Sequence, residues 1–294
     1  MIFKFHNNYK KPPNRIIILG SSGIIASNLQ KAFKKKKINI ISIGSSKLDL
    51  RKKNSGKKLK KKIRKNDVVI FISAEAPVKN IRMFINNIKI CNSVCEALEK
   101  KKIKQLIYIS SDAVYADVNK KISERSIAIP TSLHGSMHLT REIMLKTKFK
   151  KVLCILRPTL IYGPGDTHNG YGPNRFISSA SKNKPISIFG NGEEKRDHIF
   201  IEDVVKIIIK CVQNKGLGIL NLATGKVNSF QYLAKEIINI SKSNSKLFKI
   251  KRVGPMPHNG YRPFNIHLLK NNFKNIKIFS IDSGIKKYLE SFTR

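Results

Sequence analysis

Four consecutive apolar residues at 16–19, three of them isoleucine, are closed by Gly20. A run so short and so uniformly apolar predicts a strand covered on both faces, as in a parallel sheet. Helical spacing then continues to about Phe33. Further apolar bursts at 38–43, 68–72, 106–109 and 152–156 predict strands, and 56–65, 80–99 and 133–146 carry helical spacing between them. This alternation predicts an α/β protein with a Rossmann-like, doubly wound parallel sheet and helices on both faces. After Arg157 the pattern becomes irregular, with Gly and Pro clustered at 163–165 and 170–173. A short strand near 186–189 and helices at 202–212 and 228–241 follow. Residues 14–165 are expected to form mainly the sheet domain. Residues 166–294 are expected to form mainly a smaller C-terminal lobe over the sheet's carboxyl edge, with strand and helix returns to the core.

Charge changes this picture little. The chain has 58 Lys+Arg against 18 Asp+Glu, a formal net charge of +40. Such a surface releases counterions from phosphate backbones, so nonspecific nucleic-acid binding at low salt is expected. The basic runs fall on predicted helix ends and exposed faces, however, without interleaved stacking aromatics, and no specific nucleic-acid partner is expected. The same field attracts small anionic ligands. Cys91, Cys95, Cys154 and Cys211 lack metal-type or disulfide-scaffold spacing. No apolar run approaches a membrane span, and residues 1–15 lack a secretory pattern. A reducing, cytoplasmic setting is the expectation.

The first strand runs into Gly20-Ser21-Ser22-Gly23-Ile24-Ile25-Ala26 and then a helix. Glycines there let the backbone turn tightly against a pyrophosphate, and the helix start offers free N–H groups. Residues 14–165 are therefore read as dinucleotide-binding, with Gly20, Ser22, Gly23, Ile24 and Ile25 on the pyrophosphate. Ser73 and Ala74, at the end of the predicted strand 68–72, are expected on the cofactor too. NAD recognition wants an acid at the end of the second strand. Here that place reads Gly44-Ser45-Ser46-Lys47. Ser45 and Lys47 suit a 2′-phosphate, so NAD(P) is expected with a lean towards NADP, and Asp49 and Leu50 are placed at the adenine edge.

With these residues in view the sequence resembles the extended short-chain dehydrogenase/reductase superfamily, in its NAD-dependent epimerase/dehydratase family. Ile109-Ser110-Ser111-Asp112-Ala113-Val114-Tyr115 is similar to the family's Ser/Thr segment. Leu156-Arg157-Pro158 with Tyr162-Gly163-Pro164-Gly165, and Phe189-Gly190-Asn191-Gly192 with Arg196-Asp197-His198, are similar to its next blocks. Asn221-Leu222-Ala223-Thr224-Gly225 and Arg262-Pro263 match its later elements. The resemblance covers nearly the whole chain. It implies a nucleotide-diphosphate sugar as substrate, with reversible hydride transfer to a held nicotinamide, and often a homodimer through the helices at 80–99 and 133–146. It implies that Ser111 meets the reacting sugar oxygen, that Asp112 contacts substrate, and that Arg196 and Arg262 meet the diphosphate. Many relatives carry Asn where Leu160 stands. His168, Asn174 and Arg175, on the Gly/Pro-rich stretch, are candidate sugar contacts.

The family's Tyr and Lys, four apart on one helix, are both replaced here by histidine, at His134 and His138. The i, i+4 spacing puts the imidazoles on one helix face. An imidazole, with an unperturbed pKa near ~6.5, can give or take a proton at neutral pH. His134 is thus the expected replacement for the Tyr, and His138 the expected holder of the nicotinamide ribose. No Cys or acid with ligand spacing completes a zinc site around them, so no metal is expected. The alternative is a sensor or partner subunit of the same fold that binds a dinucleotide without turnover.

Overall fold

A computed structural model describes residues 1–118, 120–167 and 169–292. Its largest sheet has seven strands, in the spatial order Lys4–Phe5, Gly216–Leu222, Leu153–Pro158, Gln105–Ile109, Val68–Phe71, Ile16–Leu19, Ile40–Ile43. Every pairing is parallel except that of Lys4–Phe5 with Gly216–Leu222. Strand Ile40–Ile43 lies on one side of Ile16–Leu19, and the next strand in sequence, Val68–Phe71, lies on the other. That reversal opens a crevice at the carboxyl ends of the two strands.

Successive residues of the inner strands enter opposite cores. Ile16, Ile18, Val68 and Ile70 join the core beneath helices Ile24–Lys35 and Ile201–Gln213. Ile17, Leu19, Val69 and Phe71 join the core beneath Ser55–Lys62, Ile81–Leu98 and Leu133–Phe149. The expected doubly wound architecture is thus observed. Beyond Arg157 the chain builds a four-stranded sheet from Leu160–Tyr162, Lys195–Phe200, Val227–Ser229 and Tyr261–Arg262, and a pair from Ile186–Phe189 and Leu247–Ile250. Helix Pro173–Ala180 occupies part of the stretch read as irregular. The N-terminal segment, for which the sequence predicts no element, adds an edge strand. Phe3 and Phe5 pack on Phe273 with ring centroids 5.8 and 5.1 Å away.

Helix Leu133–Phe149 carries both histidines and is placed by three contacts. Ser132 caps it, its Oγ accepting from Gly135 N at 3.1 Å. A Cβ at Gly135 would stand 2.0 Å from the Ala113 carbonyl, so only glycine lets the helix approach the turn after Ser111. The third contact is a buried carboxylate. Glu142 accepts two hydrogen bonds from Arg157 (2.8 and 2.6 Å), one from Ser110 Oγ (2.7 Å) and one from Lys146 (3.1 Å). Burial alone would raise its pKa, but the Arg157 fork outweighs burial and the net shift is downward.

A group with a depressed folded pKa stabilises fully above the unfolded value, about 4.3 for Glu, and loses that contribution as pH falls through the folded one. Glu142→Ala, which strands the Arg157 charge in the core, should cost about 3–5 kcal/mol in urea unfolding at pH 7. The difference from wild type should shrink below pH 4. An unchanged midpoint would show that the cluster does not anchor the helix.

Candidate functional site

Two adjoining cavities, of about 860 and 280 Å³, share Gly23, Ile72 and Ala74 and together follow the crevice. Gly20 adopts φ +99°, and a Cβ there would lie 2.9 Å from Ser73 N. Glycine is therefore required where the first strand turns beside the Val68–Phe71 strand. Gly23 is different. Its φ of −76° is ordinary, no side chain caps the helix it begins, and a Cβ added to it meets nothing within 4 Å. The open first turn of helix Ile24–Lys35 thus presents backbone N–H groups to an empty volume, which fits a pyrophosphate.

Each residue expected on the cofactor, from Gly20 to Ala74 and including His138, lines one cavity or the other, except Lys47. Lys47 is exposed and lines neither. The cation at the smaller cavity is Arg51, which the sequence reading passed over. It donates to Asp49 at 2.8 Å and to Glu75 at 2.6 Å, and holds the Asp49 carboxyl down to about 2. Glu75 lies 24 residues from Arg51, so spacing along the chain gave no sign of it.

The larger cavity brings Ser111, His134 and His138 together. Ser111 Oγ accepts from Ala113 N at 3.2 Å and reaches Asp112 Oδ1 at 3.4 Å. The imidazoles meet edge to face, centroids 4.7 Å apart. His134 Nδ1 accepts from Val78 N at 3.4 Å. His138 Nδ1 lies 2.8 Å from the hydroxyl of the buried Tyr108. Burial, with a smaller contribution from Arg141, holds the His134 pKa below its ordinary value despite Asp112. Burial, His134 and Arg141 depress His138 much further. Both are therefore neutral at pH 7, unlike the near-neutral titration expected of an exposed imidazole. A neutral His134 whose Nδ1 accepts carries its proton on Nε2, so it offers the cavity a donor.

Arg141, also missed, is fully buried. Its guanidinium donates to Ser73 O, Asn87 O and Asn87 Oδ1 and lies 5.0 Å over the Phe71 ring. It follows His138 by three positions and His134 by seven, a spacing that places it on the same side of the helix.

The substrate candidates fare unevenly. Arg196 and Asp112 line the larger cavity. Arg262 does not. It is 1% exposed, and its guanidinium donates to Asp112 Oδ2, Asp112 O, Asp117 Oδ1 and Tyr115 O. The geometry gives it a binding role towards the protein's own acids and carbonyls rather than towards a diphosphate. Asn174 is likewise used internally, accepting from Gly163 N and donating to Asp166. Arg175 is exposed, donates to Asn169 O and lines neither cavity. His168 lies outside the described residues. A third imidazole, His258, and its partner Asp117 also line the larger cavity. Their separation by 141 positions left no local signal in the sequence.

Among the described residues no helix is long and apolar enough to cross a membrane. The chain is 28% identical over 270 residues to a dTDP-D-glucose 4,6-dehydratase of Dictyostelium discoideum, a match covering 77% of this chain and 62% of that protein's length. It is 28% identical over 223 residues to the uncharacterized UDP-glucose epimerase YtcB of Bacillus subtilis, covering 65% and 70%. Among solved structures, the UDP-glucose 4-epimerase of Thermotoga maritima with UDP-glucose superposes with a TM-score of 0.83 at 18% identity, covering 95% and 98%. A GDP-L-fucose synthetase of Naegleria fowleri bound to NADP gives 0.84 at 14%, covering 100% and 97%. These structural likenesses concern the fold. Residues 16–223 match the NAD dependent epimerase/dehydratase family, and the chain belongs to that family.

Proposed function

We propose that the chain is an NAD(P)-dependent epimerase, dehydratase or reductase of a nucleotide-diphosphate sugar, working in the cytoplasm. The observation that carries this reading is the continuous groove. It joins an uncapped glycine-rich helix start to a cavity lined by Ser111, His134 and His138. Gly20, Ser22, Gly23 and Ala74 would hold the dinucleotide, with His138 on its nicotinamide ribose. When bound, the dinucleotide supplies reversible hydride exchange with a sugar carbon. Ser111 and His134 would flank the reacting sugar oxygen. Each can donate a hydrogen bond to it, which favours negative charge developing on that oxygen. Arg196 would face the diphosphate from the lobe side. The dTDP- and UDP-sugar names of the relatives support this substrate class. A homodimer through helices Ile81–Leu98 and Leu133–Phe149 accords with exposed Ile81, Ile85 and Ile143.

NADP is the form that Ser45, and the lack of an acid at the end of strand Ile40–Ile43, favour. Arg51 would supply the cation for a 2′-phosphate, in competition with Asp49 and Glu75.

A second reading, a dinucleotide binder without turnover, is favoured by one observation. His134 presents a donor, not a free base, where the family has its Tyr.

Gly23→Asp should separate fold from binding. Asp is a good helix N-cap, so the melting temperature should hold or rise. The added carboxylate stands against the pyrophosphate, so calorimetric binding of NAD and NADP should be lost. Retained affinity would remove the basis of the functional reading.

Arg51→Ala should weaken NADP by about tenfold, one charged hydrogen bond's worth, while leaving NAD within a factor of two or so. Equal losses would sever Arg51 from the 2′-position.

For turnover, His134→Ala should lower hydride transfer with UDP-, dTDP- or GDP-hexoses by roughly 10²-fold. A pure binder would show no wild-type turnover to lose. Because burial holds the His134 pKa below its ordinary value of about 6.5, protonation of His134 should place no acid limb above that value.

A further inference from the structure

The cavity contains a second kind of imidazole. His258 sits in the segment 255–259 that crosses from the lobe to the cavity wall. His258 and Asn259 adopt φ of +53° and +51°, two successive non-glycine residues in the left-handed region. Such backbone persists where surrounding contacts impose it. Here the contacts are those of Asp117. Its Oδ1 meets His258 Nδ1 and also accepts from Arg262 Nη1 at 2.8 Å, while Oδ2 accepts from Thr131 Oγ1 at 3.1 Å. Arg262 Nη1 lies 3.0 Å from the same Nδ1, but a guanidinium can only donate. A carboxylate oxygen in hydrogen-bond contact with Nδ1 requires a hydrogen on that nitrogen, so the guanidinium and the neutral imidazole both donate to one carboxylate.

The consequence is opposite to that at His134. There a backbone N–H takes the Nδ1 lone pair and leaves a donor on Nε2. At His258 a carboxylate takes the Nδ1 hydrogen and leaves Nε2 as a bare acceptor. The two imidazoles line one cavity, one from helix Leu133–Phe149 and one from the segment 255–259. We infer that His258, oriented by Asp117, is the proton acceptor of this cavity, and that His134 is its hydrogen-bond donor. The inference rests on the functional reading above for the identity of the hydroxyl that fills the cavity. In the step, the substrate O–H bond breaks, its proton bonds to His258 Nε2, and the electron pair stays on oxygen. Asp117 remains a carboxylate and holds the resulting imidazolium through Nδ1–H, as a carboxylate does beneath a general-base histidine.

The charged groups facing His258 are Asp117 and Asp112, which raise its basicity, and Arg196 and Arg262, which lower it. Burial is the largest influence, and the net effect is downward. The imidazole is therefore unprotonated, and able to accept, at neutral pH.

The first test is made on the full chain, uniformly labelled with ¹⁵N and free of added ligand. Nitrogen chemical shifts report which imidazole nitrogen carries hydrogen. The expected pattern is Nδ1–H with bare Nε2 for His258, and the reverse for His134. In Asp117→Asn the His258 preference should be lost, since an amide can donate to Nδ1 as readily as accept from it. The second test is His258→Gln, whose amide can still donate to Asp117 in place of Nδ1–H. Hydride turnover of the UDP-, dTDP- or GDP-hexose that the wild type accepts should fall roughly 10²–10⁴-fold, with melting temperature and dinucleotide affinity unchanged. A protonated Nε2 on His258, a tautomer indifferent to Asp117→Asn, or undiminished turnover in His258→Gln overturns the assignment. If the wild type turns over no sugar nucleotide, the functional reading fails by itself. The tautomer pattern then decides this inference alone.

Discussion

The Glu142 carboxylate is the constraint on which the site depends. Positions 134, 138 and 142 form one stripe along helix Leu133–Phe149, four residues apart. Glu142 is the stripe's root, held by Arg157 from one strand and by Ser110 at the end of another. With the root fixed to two strands, the helix can neither slide nor roll, and the imidazoles one and two turns above it are delivered to the cavity. Ser110 is joined directly to Ser111, so the same carboxylate registers the third polar group of the site. Gly135 allows the close approach; Glu142 makes it unique.

How much of this was legible in the sequence follows from how local each cause is. The inner strands were readable because burial on both faces leaves unbroken apolar runs, as at Ile16–Leu19 and Val68–Phe71. The glycine turn and the paired histidines were readable because their meaning lies within a few residues. Strand Lys4–Phe5 was not, since two residues with a lysine in them carry no periodic signal. Nor was the distinction between His134 and His258. It rests on the Val78 amide in one case and on Asp117 in the other, partners brought in from 56 and 141 positions away.

The arginines teach a related lesson. With 58 basic residues against 18 acidic ones, an arginine in this chain would be expected to lack a carboxylate partner. The fold instead gathers scarce acids where guanidinium groups are buried. Asp112 and Asp117 take Arg262, Glu194 takes Arg196, and Glu142 takes Arg157. Scarcity over the whole sequence says nothing about local pairing, because burying an unpaired charge is costly enough to govern where the few carboxylates go. The excess cations are left to the solvent.

Arg141 stands apart from that pattern. It is fully buried, yet its hydrogen-bond partners are carbonyls, two from the main chain and one from an amide side chain. Its positive charge is solvated by dipoles rather than cancelled, and it lies buried on the helix that carries the two histidines. This chain keeps a cation three residues beyond His138 on the same helix, and that charge is one of the causes that hold both histidines below their ordinary pKa. An anion arriving at neutral pH therefore meets hydrogen-bonding imidazoles at this wall, and the fixed charge it senses comes from the guanidinium behind them.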